Sequence, residues 1–225
     1  YIGVCDELSL SLSQLSASVK VLICLVASLF SISVMNAQPP CQVGFITKSM
    51  TVKYQWNGIC CDVTVHYCFK VGSNTIHYEP YKIDFDPACF GLDPNAPPPF
   101  PVSSVYNFVR KKVVAQEAAS AFGGPIPLCP QTALFVLDET AGQCWNWAIY
   151  QPDPLVAPVM VAEPCDANTC RRVCQVCRTQ EDDPCLPGVK MLNIGPCTDY
   201  GAQRPCPNAE FGFPGACHRV ICESP

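Results

Sequence analysis

Cysteine is the residue type that most constrains how this chain can fold. The 225 residues include 18 cysteines, and three of them fall within residues 170–177, which read CRRVCQVC. Cysteines at such spacing are metal ligands, redox pairs or halves of structural disulfides. The compartment in which the chain folds decides between these roles, because thiols in oxidising compartments close into disulfides.

An apolar segment at residues 21–35 predicts that the chain is exported. Lys20 precedes this uncharged segment, and residues 36–38, NAQ, follow it. A cation, an apolar run and a small residue in this order are typical of a secretory signal peptide, so we predict one over residues 19–37 with cleavage after Ala37. The run of 15 residues is shorter than the roughly 20 residues of a membrane-spanning helix.

Removal of the signal peptide leaves an even number of cysteines. Residues 1–18 contain neither methionine nor a cationic segment, and we interpret them as untranslated upstream sequence. A mature chain that starts at Gln38 has 16 cysteines, which fits eight disulfides with no thiol left over. We predict this chain to be secreted, extracellular or at the cell surface, with no membrane attachment after cleavage. The predicted disulfide cysteines are Cys41, Cys60, Cys61, Cys68, Cys89, Cys129, Cys144, Cys165, Cys170, Cys174, Cys177, Cys185, Cys197, Cys206, Cys217 and Cys222.

Alternating apolar and polar residues predict an antiparallel meander in the first part of the mature chain. Residues 50–56 alternate in this way, and Asn57 with Gly58 is a strong signal for a two-residue hairpin. The return strand places Cys60 and Cys61 on opposite faces, so we expect them to pair with different partners. A third strand is predicted over residues 75–85, where a proline indicates an edge position or a bulge.

One helix is predicted, over residues 103–122. Ser103 or Ser104 can cap its start, and the sequence GGP at residues 123–125 ends it. Its apolar stripe consists of Val105, Phe108, Val109 and Val113. We expect this helix to lie across the sheet.

Two further hairpins and a cross-linked tail complete the prediction. Residues 132–150 predict a hairpin with its turn at residues 140–143, and the hairpin that starts at Arg171 has a polar turn at residues 181–183. The tail from Cys197 to Cys222 has little periodicity, so we expect disulfides to order it.

The predicted fold class is α+β and mainly β: short antiparallel hairpins with one covering helix, stabilised by disulfides. It divides into residues 38–163, with the meander, the helix and the tryptophan hairpin, and residues 164–225, with the C-terminal hairpin and tail. This layout, including the RRVCQVC hairpin and the cysteine-rich tail, resembles that of uncharacterised secreted cysteine-rich bacterial proteins. The resemblance brings no assigned activity with it.

The cysteine-rich segment does not have the pattern of a metal or redox centre. A structural zinc site usually combines two close cysteine pairs, and here only Cys174 and Cys177 have CxxC spacing. On one strand these two side chains point to opposite faces and cannot hold one ion. No strand–helix–strand unit surrounds them, as a redox pair would need. We therefore predict no metal and no cofactor.

Carboxylates and histidines offer two weaker candidates. Asp84, Asp86, Asp93 and Asn95 are hard oxygen donors close in sequence, but their spacing differs from that of an EF-hand, so we interpret them as solvated loop residues. His66 and His77 lie on adjacent predicted strands and could approach each other, and together with Glu79 they are the candidates for a hydrolytic site. Because neither G-x-S-x-G nor H-E-x-x-H occurs, no enzymatic activity is predicted. These candidates are Asp84, Asp86, Asp93, Asn95, His66, His77 and Glu79.

Trp145 and Trp147 have two interpretations. Spaced two apart on one strand, they could form a platform for a sugar ring, but with Ile149 in the same row they are more typical of a core. Exposed strand edges would favour assembly, whereas an exposed tryptophan row would favour glycan binding.

The predicted function is that of a secreted, disulfide-stabilised structural or interaction protein, for example a subunit of a surface assembly or filament. Its expected partners are other copies of itself or other extracellular proteins. The alternatives are a monomeric glycan- or ligand-binding module, and a small disulfide-rich hydrolase or enzyme inhibitor. With 14 lysines and arginines against 19 acidic residues, the chain has no basic surface typical of nucleic-acid binding.

Overall fold

The fold is taken from a computed structural model. It describes residues 41–91, 100, 102–150, 159–165, 168–201, 204, 206 and 217–222. The predicted upstream sequence and signal peptide, residues 1–18 and 19–37, lie outside these ranges.

The described residues form one mixed sheet of nine strands and two helices. The sheet wraps partly around the longer helix, in the manner of a half-barrel. The strands are β1 (Ile46–Trp56), β2 (Ile59–Val71), β3 (Thr75–Phe85), β4 (Val136–Gly142), β5 (Cys144–Tyr150), β6 (Val159–Pro164), β7 (Thr169–Asp183), β8 (Leu186–Tyr200) and β9 (His218–Arg219), and the helices are α1 (Pro87–Phe90) and α2 (Val102–Phe122).

The first three strands form the predicted antiparallel meander. The β1–β2 register is uninterrupted along the whole of β1 and ends at the pair Trp56 and Ile59. Asn57 and Gly58 between them have φ values of 48° and 79°. Positive φ at both positions is the geometry of a type I′ turn, which matches the twist of the two strands.

Strand β3 lies inside the sheet rather than at its edge. One side of β3 pairs with β2, whereas the other side pairs first with β4, in parallel over residues 75–78, and then with β6, antiparallel over residues 83–85. Pro80 lies between the residues of β3 that pair with β4 and those that pair with β6. Its missing N–H therefore removes no hydrogen bond to either of these strands. The edge position predicted for Pro80 is therefore wrong, but the predicted bulge is present, opposite His66 and Tyr67.

The predicted hairpin at residues 132–150 is not formed. β4 pairs with β3 and β7, whereas β5 pairs with β6 and β9. The chain bends between them at Gln143, whose backbone N–H donates to Asn168 and whose carbonyl accepts from Val220. Because β4 runs parallel to β3, the sheet is mixed and not a set of antiparallel hairpins alone.

Strands β7 and β8 form the predicted C-terminal hairpin, but its turn lies later than expected. The strands continue to Asp183 and restart at Leu186, so the turn consists of residues 184–185 and not of residues 181–183. The buried Asp183 carboxylate accepts from the backbone N–H of Cys185 at 2.8 Å, which holds this later turn. The same sheet contains strands from both predicted segments, 38–163 and 164–225.

Helix α2 packs against the sheet through its apolar stripe. Val105, Val109 and Val113 are buried, and Phe108 is partly buried. The helix begins at Val102, so Ser103 and Ser104 lie within its first turn and are not its cap, contrary to the prediction. Gly123, with φ of 63°, ends the helix as expected.

Charged side chains of α2 also face the sheet, and each has a partner. Arg110 donates to Glu139 at 2.8 Å, and Tyr106 donates its hydroxyl to the other oxygen of Glu139 at 2.7 Å. Glu117 accepts from Lys48 of β1 at 2.7 Å and from the Tyr67 hydroxyl at 2.6 Å. Since a buried charge is costly unless it is paired, these contacts fix one position of the helix on the sheet.

All sixteen cysteines of residues 41–222 form disulfides. Cys60 and Cys61 have different partners, as expected from their opposite directions, and so do Cys174 and Cys177. The pairs are Cys41–Cys68, Cys60–Cys185, Cys61–Cys89, Cys129–Cys177, Cys144–Cys206, Cys165–Cys217, Cys170–Cys222 and Cys174–Cys197.

Candidate interaction edge

The two tryptophans of β5 are core residues and do not form a surface platform. Trp145 is 0% exposed and Trp147 is 3% exposed. The Trp147 ring lies 4.5 Å from that of Phe85, and the Trp145 ring lies 5.4 Å from that of Tyr106, centroid to centroid. The side chain of Ile149 lies outside the described part of the structure. Burial of both indoles favours the core interpretation of this pair over sugar stacking.

The structure separates the two histidines considered for hydrolysis. On β2, His66 is paired in register with Lys82, and Lys70 is paired with His77. Each histidine has its own carboxylate: His66 Nε2 lies 2.7 Å from Asp84, and His77 Nδ1 lies 3.2 Å from Asp138. The two histidines therefore do not form one site.

His77 belongs to a charged cluster that the sequence did not reveal. The parallel pairing of β3 with β4 places His77 beside Asp138, which also accepts two hydrogen bonds from Arg171 of β7, at 2.7 and 2.8 Å. Burial, and then the charge of Asp138, raise the pKa of Glu79. The hydrogen bond to Asp138 in turn raises the pKa of Arg171. His77 and Arg171 thus both contact the Asp138 carboxylate, and the cluster joins three neighbouring strands.

The acidic residues considered for calcium have structural partners where they are described. Asp84 pairs with His66 and Lys82, and Asp86 accepts from two backbone N–H groups at the start of α1. Asp93 and Asn95 lie outside the described residues. In the part of the chain that the structure covers, no three histidine, cysteine or acidic side chains form a group that could hold a metal ion.

The outer edge of β1 pairs with no other strand of the described structure. In a two-residue hairpin, the residues that flank the turn exchange backbone hydrogen bonds, and such pairs alternate with pairs that do not. Trp56 and Ile59 flank the turn, so the even-numbered residues of β1 bond to β2. The odd-numbered residues direct their N–H and C=O groups away from β2. No described strand pairs with them. These residues are Thr47, Ser49, Thr51, Lys53 and Gln55.

The side chains of β1 divide cleanly between its two faces. The odd-numbered side chains are polar and exposed. The even-numbered row, Met50, Val52, Tyr54 and Trp56, is only partly buried against the core. Within this row the Tyr54 ring lies 5.1 Å from that of Phe108, and the Trp56 ring lies 4.7 Å from that of Phe100. The row therefore has one side on the core and one side towards the free edge.

Strand β1 has few of the features that usually protect an edge from pairing. Proteins blunt edge strands with prolines, bulges or charged side chains, especially lysines. The other long edge, β8, contains two prolines and several register shifts against β7. β1 has no proline and an even register. The charged side chains of β1 are two lysines, and each has a carboxylate partner within the chain: Lys48 with Glu117, and Lys53 with Asp62, each at 2.7 Å.

Comparison with protein-family models, with curated proteins and with solved structures found no match for the chain. Among the described residues, no helix is both long enough and apolar enough to cross a membrane. Eight disulfides in one chain are typical of proteins that mature in an oxidising, extracellular environment.

Proposed function

We propose that this protein is a secreted structural or interaction protein that joins its partner by strand addition at the free edge of β1. The observation that carries this proposal is the edge itself. It comprises 11 residues in an uninterrupted register with β2, and it has no strand on its outer side within the described structure. In strand addition, backbone hydrogen bonds supply the affinity and the alternating side chains supply the specificity.

The disulfides support the extracellular part of the proposal. All sixteen cysteines of residues 41–222 are paired, which favours maturation in an oxidising compartment. The signal peptide predicted over residues 19–37 agrees with this. A cross-linked sheet also holds β1 in a fixed conformation before it meets a partner. This lowers the entropy lost on binding.

Two of the alternatives have less support in the described geometry. A glycan platform needs exposed indoles, and both tryptophans are buried. A hydrolase based on His66, His77 and Glu79 needs the two histidines in one site, and each is paired with a different aspartate. The outer edge of β1 has no partner among the described strands, and strand addition would use it in that form.

The test is a matched pair of substitutions at Thr51. Thr51→Pro removes an outward N–H, whereas Thr51→Ala retains it; both lose the hydrogen bond of 2.8 Å between the Thr51 and Thr64 hydroxyls. Each variant is expressed in the natural source, and its size in the native extracellular fraction is measured by sedimentation velocity. We expect complexes larger than the single chain for the wild type and for Thr51→Ala, and the single chain alone for Thr51→Pro. Equal sizes for all three would refute association through this edge.

A further inference from the structure

We propose that the partner at the β1 edge is a second copy of the same chain, paired antiparallel about a two-fold axis through Thr51. This inference rests on the proposed function, because it names the partner for the same edge. A two-fold axis requires a surface that is complementary to itself. Three properties of β1 meet this requirement: its backbone groups, its charges and its partly buried apolar row.

The backbone groups of two copies match in this register. Antiparallel strands exchange hydrogen bonds between residues that both direct their N–H and C=O groups to the shared edge. About Thr51, these are Thr51 with Thr51, Ser49 with Lys53, and Thr47 with Gln55. Each copy contributes five outward N–H groups, so the edge can form ten hydrogen bonds. Because Thr51 is the central residue of β1, this is the register in which all 11 residues of both strands overlap.

The charges favour the same register. Lys53 faces the hydroxyl of Ser49 in the other copy, and Lys48 faces Tyr54, so no lysine lies opposite a lysine. A slip of the axis by two residues, to Lys53, would place the two copies of that lysine opposite each other. Like charges directly opposite are destabilising. Within its own chain, each lysine also keeps a carboxylate, from Glu117 or from Asp62.

The apolar row continues across the axis. Met50 faces Val52 of the other copy, and Trp56 faces Ile46, which is 61% exposed in the single chain. Directly opposite residues of antiparallel strands share one face, so each row covers the open side of the other. The pairing therefore extends each apolar row, which is only partly buried within the described structure, into the row of the other copy.

The two-fold axis also limits the size of the product. An isologous contact uses the same surface on both copies and closes with two of them. The β1 edge by itself therefore gives a dimer with one continuous sheet. A larger surface assembly would be built from such dimers through another contact.

The register is tested by changing the charge of Ser49, which this pairing places opposite Lys53. Ser49→Glu adds two opposite-charge pairs per dimer and Ser49→Lys adds two like-charge pairs. Cross-strand charge pairs of this kind change the dimer dissociation constant by about 2- to 30-fold. The purified, disulfide-intact chain is studied by analytical ultracentrifugation at several concentrations. The control is the same two changes at Thr198, an exposed residue of β8.

We expect a monomer–dimer equilibrium that Ser49→Glu tightens, that Ser49→Lys weakens and that neither change at Thr198 alters. Raised salt should reduce both effects at Ser49. A chain that stays monomeric, or equal effects of the two charges at Ser49, would overturn the inference. If the extracellular fraction still contained complexes that Thr51→Pro dissolves, the partner would be another protein and the proposed function would stand. If no such complexes were present either, both the proposed strand addition and the inferred dimer would be refuted.

Discussion

The ion pair between Arg110 and Glu139 connects α2 with the centre of the sheet. Glu139 is 0% exposed and Arg110 is 5% exposed. Replacement of Glu139 by glutamine keeps the volume of the side chain but removes the charge that balances the guanidinium. The amide has one acceptor oxygen, for which the Tyr106 hydroxyl competes with Arg110. The variant therefore leaves a buried cation without a counter-ion.

The expected cost follows from that burial. Removal of one partner from a buried ion pair destabilises a protein by about 3–5 kcal/mol, because the remaining charge stays out of water. The exposed pair between Lys53 and Asp62, with side chains 49% and 52% exposed, provides the control. We expect Asp62→Asn to cost less than about 1 kcal/mol.

Urea unfolding at neutral pH with the disulfides intact measures both effects as shifts in the free energy of unfolding. A third variant, Arg110→Met with Glu139→Leu, removes both charges and should be more stable than Glu139→Gln alone, since no orphaned charge remains. If Glu139→Gln lost no more stability than Asp62→Asn, the argument from burial of the Arg110–Glu139 pair would be refuted.

Two further predictions concern a close contact and a carboxylate. A Cβ at Gly142 would lie 2.7 Å from Cβ of Pro164, so we expect Gly142→Ala to cost about 1–3 kcal/mol in urea unfolding; the same change at Gly124, whose nearest contact is at 3.8 Å, should cost little. Burial, and then Asp138, raise the pKa of Glu79 above its ordinary 4.5, so the folded state holds this proton more tightly than the unfolded chain. The stability from Glu79 is thus full below pH 4.5 and falls as the pH rises through the raised pKa. Unfolding curves at several pH values should show that this fall in the free energy of unfolding is absent in Glu79→Gln. If the variant and the wild type had the same pH profile, the prediction would be contradicted.

Sequence patterns predicted the elements whose contacts are local. The β1–β2 hairpin follows from the alternation on both strands and from Asn57 with Gly58, and α2 follows from its apolar stripe and Gly123. The turn of the β7–β8 hairpin was misplaced because its position depends on the buried side chain of Asp183. Burial of that kind arises only when distant strands have assembled.

Long-range pairing could not be read from the sequence. The parallel contact of β3 with β4 brings His77 to Asp138, residues that are far apart in the chain. The tryptophan hairpin failed for the same reason, since β4 and β5 each found partners elsewhere in the sheet. The alternation in β1 predicted a half-buried strand, but its position at an edge depends on where the other strands lie. The even cysteine count predicted that every cysteine forms a disulfide, but it did not identify which cysteines pair.

The order of the disulfides sets how far the chain can be stretched. From Cys41 the covalent path crosses to Cys68, follows the backbone to Cys60, crosses to Cys185, follows the backbone to Cys170 and crosses to Cys222. That path contains 8 and then 15 residues of backbone, against 181 residues along the chain between the same ends. At about 3.5 Å per residue, the distance between Cys41 and Cys222 could reach roughly 100 Å with the disulfides intact, bridges included. Without the disulfides it could reach roughly 600 Å. Even with every strand separated, the disulfides would limit the extension between these two cysteines. A chain of such domains under tension would therefore stay covalently connected over a short distance after its sheets had opened.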